Sequence, residues 1–232
     1  MKIIESSREA YRYLWSPVRN EDRFSRFLAG RNIAVGHLDP GEMGQRLLDL
    51  KAVASAQSQL AGKPGSLELV ELSERADYLL NAHLASTLAP VTGRRRAKYI
   101  NPGVGLVCGA TQYHVDMPWS GCIFGAWCLQ GPERIVRFSE MDLEVPFVPG
   151  TVVLFDPAQP HALLRPGATA YAVEEYQDGQ MCTFLSFSIK KEPRICEAMG
   201  VLVYGSRKHA GVRTTVRQYR PCPMTGELQY QE

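Results

Sequence analysis

Apolar and polar positions divide the chain into two unlike halves. In the first, Ser7 to Trp15 and Arg23 to Leu28 form short helix candidates on either side of the breaker Ser16-Pro17. Met43, Leu47, Leu48, Leu50, Val53 and Leu60 then fall at roughly helical spacing, which predicts a helix over Gly41 to Leu60 that stops at Lys63-Pro64-Gly65. A third helix is expected over Leu67 to Leu88, where Leu69, Leu72, Ala76, Leu79, Leu80, Leu84 and Leu88 alternate with polar residues, and Pro90 and Gly93 should end it. From Lys98 onward the stretches become short and rich in Val, Phe, Tyr and Cys, with Gly or Pro about every ten residues. The candidate strands are Ala97 to Ile100, Gly105 to Cys108, Gln112 to Val115, Cys122 to Leu129, Arg134 to Phe138, Thr151 to Phe155, His161 to Leu164 and Cys182 to Ile189. Short strands in this number predict a double-sheet jelly roll, so the fold class is α+β: a cupin-like barrel with a mainly helical N-terminal flank. The expected division is a flank over residues 1–96, a core over 97–190 and a C-terminal extension over 191–232. The extension holds a short helix (Ile195 to Met199), a strand (Val201 to Tyr204) and a basic tail.

Composition narrows the function. The chain has 232 residues and 26 Lys plus Arg against 24 Asp plus Glu, so a net charge of +2 makes no electrostatic case for nucleic acid. No apolar run approaches the ~18 residues of a membrane span. Glu5, Arg8 and Glu9 interrupt the segment where a secretory signal would need an apolar core. The six cysteines show neither a CxxC pair nor zinc-knuckle spacing, and they read as reduced thiols in a cytoplasmic protein.

The chemistry concentrates in the second half. His114-Val115-Asp116 is followed by His161, 47 positions after His114, at the end of the run Val148-Pro149-Gly150-Thr151-Val152-Val153-Leu154-Phe155-Asp156-Pro157. On a strand, positions i and i+2 share a face, so His114 and Asp116 are expected to point the same way. Two imidazoles and one carboxylate leave three positions of an octahedral metal open, an arrangement suited to Fe(II) and dioxygen.

The ordered pattern of HxD, a Pro-Gly turn, an apolar strand ending in Phe and then His resembles the Fe(II)- and 2-oxoglutarate-dependent oxygenases, over about Lys98 to Lys190. The resemblance implies a double-stranded β-helix, Fe(II) held by His114, Asp116 and His161, and oxidation of a substrate coupled to conversion of 2-oxoglutarate to succinate and carbon dioxide. Such proteins commonly carry Arg or Lys on the last barrel strand, with Ser or Thr two positions later. Position 171 is Tyr here, and Cys182 to Ile189 has no basic residue. The cation for the cosubstrate must then come from elsewhere. Strand parity from His161 favours Arg165, with Arg137 as the competitor and Ser186 or Ser188 as the hydroxyl. The segment Gly167 to Gln180 reads as an insertion that covers the site as a lid.

Other features have plainer readings. His37-Leu38-Asp39 repeats the HxD pattern, but Asp39 suits a cap before a helix. His83 belongs to the third helix, Arg94-Arg95-Arg96 to a solvated loop, and Trp119 to packing or a wall near the site mouth. The expectation is a hydroxylating dioxygenase acting on an unknown substrate with a small-molecule cosubstrate. A cupin-like metalloenzyme that does not use 2-oxoglutarate, or a non-catalytic binding module, is the alternative.

Overall fold

The computed structural model describes residues 1–5, 30–41, 47–63, 65–72, 76–93, 100–116, 121–201 and 218–231. The helix candidates Ser7 to Trp15 and Arg23 to Leu28, as well as Trp119 and Arg94-Arg95-Arg96, lie outside these residues. The strands are β1 (Lys2–Glu5), β2 (Asn32–His37), β3 (Leu67–Val70), β4 (Ile100–Cys108), β5 (Cys122–Gln130), β6 (Arg134–Phe138), β7 (Leu143–Phe147), β8 (Thr151–Phe155), β9 (His161–Leu164), β10 (Cys182–Lys190), β11 (Gln218–Pro221) and β12 (Leu228–Gln231). The helices are α1 (Leu50–Leu60), α2 (Ala76–Thr92) and α3 (Pro193–Ala198).

Seven strands form one antiparallel sheet in the order β1-β2-β8-β5-β10-β4-β3, and a smaller sheet has the order β7-β6-β9. The outer face of the main sheet packs against the helices, with Trp127, Leu185 and Phe187 meeting Val53, Leu60, Leu84, Leu88 and Ile195. Its inner face meets the small sheet through Leu106, Ala126, Val136, Phe138, Val145, Phe147, Val153, Phe155, Leu163 and Phe184. Because side chains alternate across a strand, β8 supplies both cores: Val152 and Leu154 go outward, Val153 and Phe155 inward. That double burial explains the unbroken apolar run TVVLF. The Pro149-Gly150 turn before it closes as expected, with Gly150 at φ +95° and Thr151 N–H donating to the Val148 carbonyl at 2.9 Å.

This architecture corrects the jelly-roll barrel with a mainly helical flank. Among the described residues the main sheet is open, with β1 and β3 at its edges, and the flank is not mainly helical: β1, β2 and β3 all join that sheet. The physical reason lies in pairing. Leu67–Val70 registers against Gly105–Cys108, and Asn32–His37 against β1 and β8, so sheet partners decide the conformation of segments too short to show a clear period of their own. The helix expected from Leu67 begins only in α2. It continues through Pro90 and stops at Gly93, whose φ of +67° suits a helix terminus. Gln112 to Val115 is not a strand; one bridge joins His114 to His161. Ala97 to Ile100 falls partly outside the described residues, and so does Val201 to Tyr204. The β11–β12 hairpin docks its turn beside the site segment: Tyr113 N–H donates to the Pro223 carbonyl at 2.9 Å and Ser139 Oγ to the Gly226 carbonyl at 2.8 Å.

All six cysteines are free. Among the described residues, no helix is long and apolar enough to cross a membrane.

Candidate metal centre

His161 opens β9 on the inner face of the small sheet, paired with Phe138 of β6. His114 lies alongside it: each residue's backbone N–H donates to the other's carbonyl at 3.0 Å. The register extends to Thr111, whose N–H donates to the Leu163 carbonyl at 3.0 Å and whose Oγ1 accepts from Leu163 N–H at 2.8 Å. After the bridge the chain turns away, and Asp116 N–H donates to the Pro157 carbonyl at 2.8 Å. The three side chains therefore converge by a route other than shared strand parity. His114 Nε2 lies 3.8 Å from one Asp116 oxygen and His161 Nε2 lies 3.5 Å from the other. The ligand atoms of the three residues all fall within 4.8 Å of one another, so His114, Asp116 and His161 could hold one metal ion.

Both imidazoles are oriented by the same device. Nδ1 of His114 lies 2.8 Å from the Gln112 carbonyl, and Nδ1 of His161 lies 2.8 Å from the Gln159 carbonyl. A carbonyl oxygen can only accept, so Nδ1 carries the proton in each ring and Nε2 presents its lone pair toward Asp116. Such outer hydrogen bonds fix the tautomer and the angle of a metal-binding histidine. Desolvation and the neighbouring His161 push His114 down to about 4, which keeps it neutral near pH 7. Burial alone would raise the Asp116 carboxyl, but the adjacent His161 and His114 side chains more than offset it and hold the carboxyl below its ordinary value. An uncharged His114 ring and an ionised Asp116 carboxylate are forms that a divalent cation requires of its ligands.

Behind the site, the loop between β8 and β9 is tied down by a buried ion pair. Lys191 Nζ, just past β10, lies 2.7 Å from Asp156, and the two side chains are 1% and 0% exposed. Asp156 also accepts from Gly30 N–H at 2.8 Å and Ala158 N–H at 3.0 Å. Gln159 Nε2 donates to the Gly30 carbonyl at 2.6 Å. The loop so anchored carries the Pro157 and Gln159 carbonyls that hold Asp116 and His161. Sequence reasoning missed this pair, and no spacing rule would have joined residues 35 positions apart.

The expected cosubstrate residues do not gather at the triad. β9 ends at Leu164, and Arg165 turns outward: its N–H donates to the Tyr176 hydroxyl at 3.1 Å and its Nη2 lies 2.6 Å from Asp178. Pro166 follows, so the parity that would have aimed Arg165 inward does not continue. Arg137 stands opposite Ala162, on the face away from His161, and pairs with Asp142 and Glu144. The Ser186 hydroxyl is inward but committed, donating to the Val104 carbonyl at 3.0 Å and accepting from Val104 N–H at 3.1 Å. Ser188 is buried on the inner face opposite Phe124. Beneath the triad the two sheets meet through apolar side chains. The far carboxylate of 2-oxoglutarate therefore finds no seat on Arg137 or Arg165.

The insertion is no lid. Tyr171 and Tyr176 stack 5.4 Å apart and pack with Ala110, Tyr113, Ile135, Ala162 and Leu164 on the outer face of the small sheet. Asp39, from the second HxD, accepts from Gly41 N–H at 3.0 Å as a local cap, while His37 sits on β2 against the Gly150 turn.

No protein-family model matches the sequence, and no curated protein matches it. Solved structures with some similarity include the polyketide cyclase RemF from Streptomyces resistomycificus, at 15% identity over 50% of this chain and 69% of that one, with a TM-score of 0.26. AviO1 from Streptomyces viridochromogenes Tue57 is 15% identical over 71% of this chain and 91% of that one, with a TM-score of 0.41. EvdMO1 is 11% identical over 71% of this chain but only 47% of its own length, with a TM-score of 0.38. TM-scores this low establish no shared fold.

Proposed function

We propose that the chain is an enzyme, a metal-dependent dioxygenase in which His114, Asp116 and His161 hold Fe(II). The observation that carries this reading is the matched Nδ1 anchoring, which aims both Nε2 lone pairs at one carboxylate. Bound there, Fe(II) would supply dioxygen activation and oxidation of a substrate. The protein's own part is to hold both rings in the Nδ1–H form, keep Asp116 ionised, and shield one side of the site with Phe138 and Phe155, whose rings lie 6.3 and 4.5 Å from His161.

Of the two oxygenase readings, 2-oxoglutarate dependence rests on the sequence resemblance. The outward placement of Arg137 and Arg165 favours the second, a metalloenzyme that does not use 2-oxoglutarate. Anaerobic titration with Fe(II), followed by oxygen uptake with and without 2-oxoglutarate, separates them. Succinate release tied to oxygen uptake supports the first, uptake indifferent to 2-oxoglutarate supports the second, and failure to bind Fe(II) refutes both in favour of a binding module.

A further inference from the structure

A line of side chains leads from the triad across the main sheet. The Phe155 ring lies 4.5 Å from that of His161 and 5.3 Å from that of Phe124 on β5. Phe124 is opposite Ser188 on β10, and Ser188 is opposite Asn101 on β4, so the four share the inner face. Two residues further along, Cys122 of β5 is opposite Lys190, on the same face. β8 and β10 run in the same direction, each antiparallel to β5 between them. Phe155, beside His161, and Ser188, two residues before Lys190, are thus two strand spacings apart across β5, or about 10 Å. β8 ends at Phe155, and the turn that follows it supplies the Pro157 carbonyl that accepts from Asp116 N–H. Lys190 and Asn101 are exposed, and Cys122 and Phe124 are half-buried.

We propose that this rim is the substrate seat, and that it takes a carboxylic acid with an aromatic body: the ring lies against Phe124 beside the triad and the carboxylate pairs with the Lys190 ammonium, with Asn101 alongside. The inference rests on the metal-centre reading for the position of the reacting end. Three features of the rim carry the ligand chemistry. Phe124 offers an apolar ring face one strand from Phe155, Lys190 offers a mobile cation on a four-carbon stem, and Asn101 offers an amide able to donate to the second carboxylate oxygen. Their separation sets a length, with acid and reacting end on the order of 10 Å apart.

Cys122 lies between the two ends of the seat and reports on it without any turnover. Protein loaded with Co(II) is treated with iodoacetamide, and modification at Cys122 is mapped, with the half-buried Cys222 of the β11–β12 hairpin as internal control. The probe is 4-phenylbutyrate, compared with 4-phenylbutanol, butyrate and 2-oxoglutarate. Expected is saturable protection of Cys122 by 4-phenylbutyrate, at least tenfold weaker for the alcohol and for butyrate, with Cys222 unaffected. Lys190→Met and Lys190→Gln, both at an exposed position, should raise the protecting concentration at least tenfold and leave Co(II) affinity unchanged. Absence of protection, equal protection by the alcohol or by butyrate, or indifference to either Lys190 variant overturns the seat. Equal protection by 2-oxoglutarate also overturns it and assigns the rim to the cosubstrate. Protection that persists in protein unable to bind Co(II) supports the seat while refuting the metal centre.

Discussion

Replacing Lys191 by Met removes the cation from a pair in which neither side chain reaches water, so Asp156 keeps only the Gly30 and Ala158 backbone donors. Breaking a buried pair by deleting one partner typically costs about 3–5 kcal/mol, because the remaining charge is uncompensated. Asp156 limits that cost by taking up a proton, and this makes the loss depend on pH. Burial already pushes its carboxyl above the ordinary value, with Lys191 the main opposing influence. Without Lys191 the folded-state value rises further, while in the unfolded chain it stays at about 3.9. Between those two values the folded state binds the extra proton, so stability falls as pH rises. The Lys191→Met deficit should therefore be smallest near pH 4, grow upward and level off above the folded-state value. Asp156→Asn combined with Lys191→Met keeps the backbone hydrogen bonds without a charge and should return to within about 1 kcal/mol of the parent. Urea unfolding at pH 5 and pH 8 measures each term, and Co(II) titration of the same proteins reports whether the loop still presents Pro157 and Gln159 to the triad. A Lys191→Met protein within 1 kcal/mol of the parent at both pH values would refute the reasoning, as would a deficit that shrinks at pH 8.

His161→Ala and Asp116→Asn each remove one of three protein ligands and should weaken Co(II) or Fe(II) binding by at least about 100-fold without unfolding the chain; calorimetric titration checks this. Arg165→Met loses a half-exposed pairing with Asp178 and should alter stability by no more than about 1 kcal/mol, with any 2-oxoglutarate requirement unchanged, as denaturant midpoints and oxygen uptake will show. Gly125→Ala should destabilise by about 1–3 kcal/mol in thermal unfolding, since a Cβ there would come within 2.3 Å of the buried Phe187 ring.

What the sequence made legible follows from how much each element depends on distant partners. The run from Thr151 to Phe155 reads as a strand because burial on both faces leaves no polar position in it, and the Pro-Gly turn fixes where it starts. Leu143–Phe147 was missed because Pro146 interrupts the pattern, yet β7 lies at the edge of its sheet, where a missing N–H does little harm. Leu67 and Leu69 misled in the opposite sense. They continue a helical spacing into Leu72, but they are exposed on an edge strand held by β4, at 40% and 63%. Local pattern and tertiary pairing disagree there, and pairing wins.

The same distinction governs the site. The identities of His114, Asp116 and His161 are visible in the sequence because ligand chemistry allows few residue types. Their orientation is not, since it comes from the carbonyls of Gln112, Gln159 and Pro157, and every residue has a carbonyl. Arg165 shows the converse error, in which a residue of the right type at the right parity is assigned a role that the backbone does not carry through. Leu163 keeps its place facing the main sheet, but the strand stops one residue later, before Pro166, and the guanidinium settles 5.5 Å from the Tyr176 ring on the other face. Parity arguments hold only as far as the strand's hydrogen bonds continue. Lys190 satisfies that condition where Arg165 does not, because β10 remains paired with β5 through Lys190 itself.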